Sequence, residues 1–271
     1  MQRALSVFVL ALVVAACGAE GGSGSLPVPA PPTAALAKWK DFPAAANPRP
    51  IIAFGDAAEV IQPQGFPDGD RKVAWICNKF VPAAGLTMLA DARRAYAALM
   101  SERALDPDGS TQCTTLAPFV VTAARLASAG FPTDRGTMQL RAWVFDVPEV
   151  GGFVAYLAVD PSALWGGAIV ATQGRGARVS RDGRTLKIGV MNPGTGPCDS
   201  GRYTASAAES SSAVAVAVLD IPNPTSAQSV PCALVARIGF IEVSLNSPLR
   251  GRVLVDENGD VGTACPETGD C

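Results

Sequence analysis

The sequence contains no histidine. Without an imidazole the chain cannot assemble Ser-His-Asp or Cys-His nucleophilic machinery, and it lacks the commonest ligand of zinc and non-haem iron. Charge is also sparse: 17% of residues are Asp, Glu, Lys or Arg, below the roughly 25% of ordinary soluble domains. The 22 basic and 24 acidic side chains leave a net charge of −2. A nucleic-acid-binding surface, which needs a basic excess, is therefore not expected. After the first sixteen residues no apolar run is long enough to span a bilayer. Neither Gly-x-Ser-x-Gly nor Ser-x-x-Lys occurs in the part expected to fold. What the chain has is apolar bulk. With 48% hydrophobic residues over 271 positions, it can bury the core of one large domain or two small ones.

The chain opens Met1-Gln2-Arg3 and then runs apolar from Ala4 to Ala16, broken only by Ser6. As a helix this run rises about 20 Å, short of the ~30 Å hydrocarbon core. One arginine, a short apolar run and small residues after it describe an export signal. Val14-Ala15-Ala16-Cys17 resembles the lipobox of bacterial lipoproteins, an aliphatic residue and two small ones before cysteine. The resemblance implies cleavage after residue 16 and a diacylglyceryl group on the sulfur of Cys17. Two acyl chains hold a protein stably at a bilayer where one does not. The implied location is the extracytoplasmic face of the cell membrane, with the lipid bilayer as first partner.

Seven cysteines are an odd number, which in an exported chain leaves one thiol without an internal partner. With Cys17 assigned to lipid, Cys77, Cys113, Cys198, Cys232, Cys265 and Cys271 remain. Six cysteines admit fifteen pairings; their spacing favours the local bridges 77–113, 198–232 and 265–271.

The expected organisation is a signal peptide over 1–16, the lipidated cysteine with a Gly/Pro-rich linker over 17–37, an α+β domain over 38–175, a β domain over 176–258 and an acidic tail over 259–271. Gly18 to Thr33, flexible in its glycine half and stiff in its proline half, could extend up to about 50 Å at ~3.1 Å per residue. Pro50 to Phe54 and Lys72 to Cys77 read as strands. Leu89, Ala92, Tyr96, Leu99 and Arg103 fall at helical spacing after Thr87 and predict the main helix, with Tyr96 on a core-facing stripe. Phe119–Leu126, Met138–Phe145 and Phe153–Val159 read as strands, the middle one apolar on both faces and so covered on both. From Gly176 onward alternation at 186–190, 203–207, 213–218, 241–245 and 253–255, with an Asp182-Gly183 turn, predicts a small antiparallel sandwich or meander. The fold class is α+β, β-rich, with a mixed N-terminal sheet.

The C-terminal part also carries a resemblance. The cysteine loop Gly196-Pro197-Cys198, the strand entering Glu209-Ser210, the alternating valine strand, Cys232 and the run from Ser247 to Asp256 are similar to the tail of uncharacterised exported proteins of actinobacteria. Those proteins usually read Pro-Leu-Gly-Gly-Arg where this chain reads Pro248-Leu249-Arg250-Gly251-Arg252. The resemblance implies a β-rich extracytoplasmic module and brings no activity with it.

Local chemistry offers little. Asp256, Asn258, Asp260 and Glu267 echo a calcium loop of the EF-hand kind, but Val261 stands where the sharp turn needs glycine, Pro266 precedes the glutamate, and a strand leads in. The expectation is no metal and no cofactor. Gly174-Arg175-Gly176 lacks the third glycine and the helix of a dinucleotide loop. Asp68, Asp70, Asp106, Asp108, Asp134 and Asp146 are the carboxylates that could serve a glycosidase-like pair, though most sit in turn-like contexts. The expected function is a membrane-anchored extracytoplasmic lipoprotein, a non-enzymatic binding or scaffolding module with an envelope protein or glycan partner. The alternative is a carboxylate-dependent envelope hydrolase.

Overall fold

The computed structural model describes residues 25–55, 58–61, 65–102, 112–167, 173–223 and 236–268. In chain order the elements are β1 (Ala58–Ile61), α1 (Gly69–Ile76), β2 (Phe80–Pro82), α2 (Ala90–Glu102), α3 (Gln112–Thr115), β3 (Phe119–Val121), β4 (Ala123–Thr133), β5 (Gly136–Val147), β6 (Gly152–Leu157), β7 (Ala177–Val179), β8 (Thr185–Met191), β9 (Gly201–Glu209), β10 (Ala213–Pro222), β11 (Ile238–Ser244), β12 (Val253–Asp256) and β13 (Ala264–Pro266). The chain is a β-rich α+β protein.

The N-terminal half is built on an antiparallel sheet in the order β1-β6-β5-β4. Its central strand β5 behaves as its sequence predicts. Phe145 and Val147 bury into a cluster with Ala92, Ala95 and Leu99 of α2, while Leu140, Ala142 and Val144 bury into a second cluster with Ala53, Phe131 and Leu164. Two-faced burial is what keeps both faces of the strand apolar. The Val147–Gly152 link is one 3-10 turn closed by Gly151 at φ 60, and β5 and β6 pair antiparallel across it. Residues 52–54 are buried and Ile51 partly so, and among the described residues this segment joins strands only through the isolated bridges Ile51–Leu164 and Ala53–Thr133.

Two local expectations change. Lys72–Cys77 is not a strand: it belongs to α1, nucleated by Asp68, whose side chain accepts the Arg71 amide at 2.8 Å. One satisfied end amide and a buried Ala74-Trp75 face outweigh the β-type composition of the run. Helix α2 begins at Ala90, not at a Thr87 cap, and Leu89 is 72% exposed, so the buried stripe is Ala92, Ala95 and Leu99. Tyr96 joins it partly, its hydroxyl donating to the Phe80 carbonyl at 2.9 Å; burial raises its pKa. Position 103 lies outside the described residues.

The C-terminal half is two sheets face to face, β12-β10-β9 and β11-β8-β7-β13. Asp182-Gly183 turns the β7–β8 hairpin, with Gly183 at φ 75. Leu186 and Ile188 of β8 meet Val214 and Val216 of β10 and Val243 of β11 in the interlayer core. Two pairings are parallel, β10 with β12 and β7 with β13, so the sandwich is not wholly antiparallel.

The other face of β10 sets the architecture. Ala213 and Ala215 are fully buried, not against the second sheet but against Ala35, Trp39 and Phe42 from a 3-10 turn spanning Thr33–Trp39 and the residues after it. Small side chains let that turn approach closely, and the Trp39 indole donates to the Gly259 carbonyl at 3.0 Å. Ordered structure therefore starts before residue 38 and packs on the C-terminal half. Residues 259–268 are likewise no tail. Val261 and Cys265 are buried, and β13 pairs with β7. Segments from both ends of the chain share one core with Ile52 and Phe54.

Candidate functional site

Three turns meet where the two halves adjoin: the β4–β5 turn at Asp134-Arg135, the β7–β8 turn at Ser180-Arg181, and Leu249–Arg252 before β12. Between them, with β13 as one wall, lies a cleft of about 610 Å³ lined by five arginines (Arg49, Arg135, Arg181, Arg250 and Arg252) against two carboxylates, Asp134 and Glu267.

The arginines divide into two kinds. Arg49 and Arg252 are structural. The Arg49 guanidinium pairs with Asp134 at 2.5 Å, with side-chain exposures of 9% and 2%. It also donates to the Gly251 carbonyl at 2.6 Å and lies 4.6 Å from the Phe42 ring centroid. Asp134 in turn accepts the Ile52 amide at 3.3 Å, and its own carbonyl accepts the Ala264 amide at 2.9 Å. One buried ion pair thus ties residues 49–52, the β4–β5 turn, the 251 turn and β13 together. Arg252 pairs with Glu209 at 2.8 Å and donates to the carbonyls of Ser247 and Pro248. Burial pushes the Glu209 carboxyl up, but the Asn246 amide, the Arg252 guanidinium and the Ser247 amide outweigh it and hold its pKa below the usual value. Its stabilising contribution is thus present above the ordinary glutamate pKa and is lost as pH falls through the depressed one.

The other three arginines face the opening. Arg135 reaches Asp134 only at 3.8 Å, and that carboxylate is already engaged by Arg49 and Ile52. Its pKa is lowered by burial, opposed by Asp134 and reinforced by Arg49. Arg181 and Arg250 are exposed, and no side-chain hydrogen bond or ion pair holds either among the described residues. Arg250 also has φ 47, a left-handed conformation that costs an L-residue other than glycine about 1–2 kcal/mol. Its neighbours impose it. Leu249 is buried and its amide donates to Gly183, and a Cβ on Gly251 would lie 2.1 Å from the Ala44 carbonyl oxygen.

The described residues singled out from sequence fall elsewhere, Asp134, Cys265 and Glu267 excepted. Cys77 and Cys113 form a disulfide. Cys198 and Cys265 are also disulfide-bonded; Cys17, Cys232 and Cys271 lie outside the described residues. Asp256 accepts the amides of Asn258 and Asp260 with a single oxygen, and Glu267 bonds Lys187 at 2.5 Å across on β8. The four are not gathered around a common point, and among the described residues no group of three or more His, Cys, Asp or Glu could hold a metal. Asp68 caps α1, Asp70 sits in its first turn, and Asp146 pairs with Arg125 at 3.1 Å; Asp106 and Asp108 lie outside the described residues. Gly174 and Gly176 serve close backbone contact, against Asp260 and Thr263, and lead into a strand. No described helix is long and apolar enough to cross a membrane. No family model matches the chain, and no curated protein or solved structure matches it.

Proposed function

We propose that this chain is a membrane-anchored extracytoplasmic lipoprotein, a non-enzymatic binding module of the cell envelope held to the lipid bilayer through Cys17. The observation that carries the reading is the state of the cysteines: four described ones, Cys77, Cys113, Cys198 and Cys265, are disulfide-bonded, the condition of an exported protein in an oxidising compartment. The lipobox at 14–17 supplies the anchor. The cleft supports binding over hydrolysis, because a glycosidase needs two carboxyls free to act on one bond. Asp134 is held by Arg49 and Glu267 by Lys187.

Alanine at Cys17 removes the acylation site and should shift the protein from the membrane fraction to the soluble extracytoplasmic fraction. Fractionation of cells producing each form, followed by immunoblotting, reads this directly; a C17A protein that stays with the membrane sinks the anchor.

A further inference from the structure

We infer that the arginine-lined cleft between the two halves is a binding site for a phosphate-bearing anion of two or more negative charges. Charge, saturation and backbone conformation mark the site, however the chain is anchored. The chain as a whole is acidic, at −2, yet five arginines face two carboxylates in one cavity. Like charges gathered in a concave wall repel one another and raise the local potential for an anion. Two carboxylates against five arginines relieve this only in part, Asp134 reaching Arg49 at 2.5 Å and Arg135 at 3.8 Å. Asp134 is consumed by Arg49 and the Ile52 amide, and Glu267 by Lys187. Among the described residues Arg181 and Arg250 have no ion pair, and Arg135 has only the 3.8 Å one to a carboxylate already held by Arg49.

Guanidinium forks present paired N–H donors that fit carboxylate and phosphate oxygens alike. Three of them around one cavity match a group with several oxygens and more than one charge, which a phosphate monoester or pyrophosphate provides and a single carboxylate does not. Arg250 adds an independent sign. A left-handed φ of 47 disfavours arginine relative to glycine at a turn fixed on both sides by Leu249 and Gly251. Strain at a solvent-facing side chain with no side-chain partner among the described residues is the pattern of a residue kept for what it contacts. Arg49 and Arg252, buried beneath it and saturated, hold the turns in place.

Full-length protein titrated with inorganic pyrophosphate by calorimetry, at about 50 mM salt, should show saturable binding whose affinity falls as salt is raised. Arg250→Gly should separate two effects that a merely structural arginine would couple: the unliganded melting temperature rises by roughly 2–4 °C, while pyrophosphate affinity falls about tenfold. Arg181→Gln, in an exposed turn, should weaken binding by a similar factor and leave the melting temperature within about 1 °C. In a parallel arm the same proteins are mixed with neutral phosphatidylcholine vesicles with and without phosphatidate. R250G-sensitive binding of pyrophosphate alone identifies a soluble phosphate ester as ligand; R250G-sensitive binding of phosphatidate vesicles identifies a phosphate headgroup. No saturable binding in either arm, or binding that both variants leave unchanged, overturns the inference.

Discussion

Replacing Asp134 with alanine is expected to destabilise the folded chain by about 3–5 kcal/mol. The side chain is 2% exposed and pairs at 2.5 Å with an Arg49 that is itself 9% exposed. Removing the carboxylate strands a buried guanidinium, and the stranded charge accounts for most of the cost. The amide of Ile52 loses an acceptor, and the junction that gathers residues 49–52, the β4–β5 turn and β13 loses its centre. Removing both partners, Asp134→Leu with Arg49→Leu, should recover much of the loss, since two apolar groups leave no unpaired charge. Urea unfolding of the three proteins checks this. A D134A loss below about 1 kcal/mol, or a double variant as unstable as the single one, would contradict the role given to the pair.

The second large effect concerns the bridge between Cys77 and Cys113. It closes a loop with a sequence separation of 36, and the chain-entropy model assigns such a loop about 3–4 kcal/mol. The bridge fastens the end of α1 to α3, with α2 in the loop between them, and α2 covers the outer face of β5. Converting both cysteines to alanine should lower the melting temperature by on the order of 10 °C, with a calorimetric scan as the measurement. A shift of less than about 3 °C would mean that packing of Ala92, Ala95 and Leu99 alone holds the helix on the sheet.

Much of the fold can be read from periodicity because its strands are covered in ways that leave a mark. β5 is apolar on both faces because α2 lies on one and the Ile51–Phe54 segment on the other. β8 alternates because only Leu186, Ile188 and Val190 turn inward. What periodicity misses is set by distant partners or by single capping contacts. The run 72–77 has the composition of a strand, and the Asp68 cap that makes it a helix is one hydrogen bond. Residues 259–268 are polar and short of apolar pattern, yet three of them complete a sheet by parallel pairing with β7, far back in the chain. Trp39 and Phe42 look like the edge of a linker until β10 supplies the two alanines they cover.

The cleft is the least legible feature. Its arginines sit at 49, 135, 181, 250 and 252, most in turns and spread over about 200 residues of chain, so no local window gathers all of them. Of the carboxylates considered for chemistry, Asp134 and Glu267 line the cleft, each engaged by a cation, while Asp256 lies outside it as a turn former. The cysteines were the opposite case. Their number and spacing were informative because a covalent bridge between near neighbours depends little on the rest of the fold, and 77–113 is bridged as its spacing favours.

Intact-mass analysis of the protein taken from native membranes, with and without reduction and alkylation, bears on anchoring and oxidation in a single experiment. The anchored, oxidised lipoprotein begins at Cys17, carries a diacylglyceryl group on that residue, and takes up alkylating reagent at six cysteines only after reduction. A chain with an unmodified amino terminus, or one alkylated at several cysteines without reduction, would contradict both the anchor and the oxidising location.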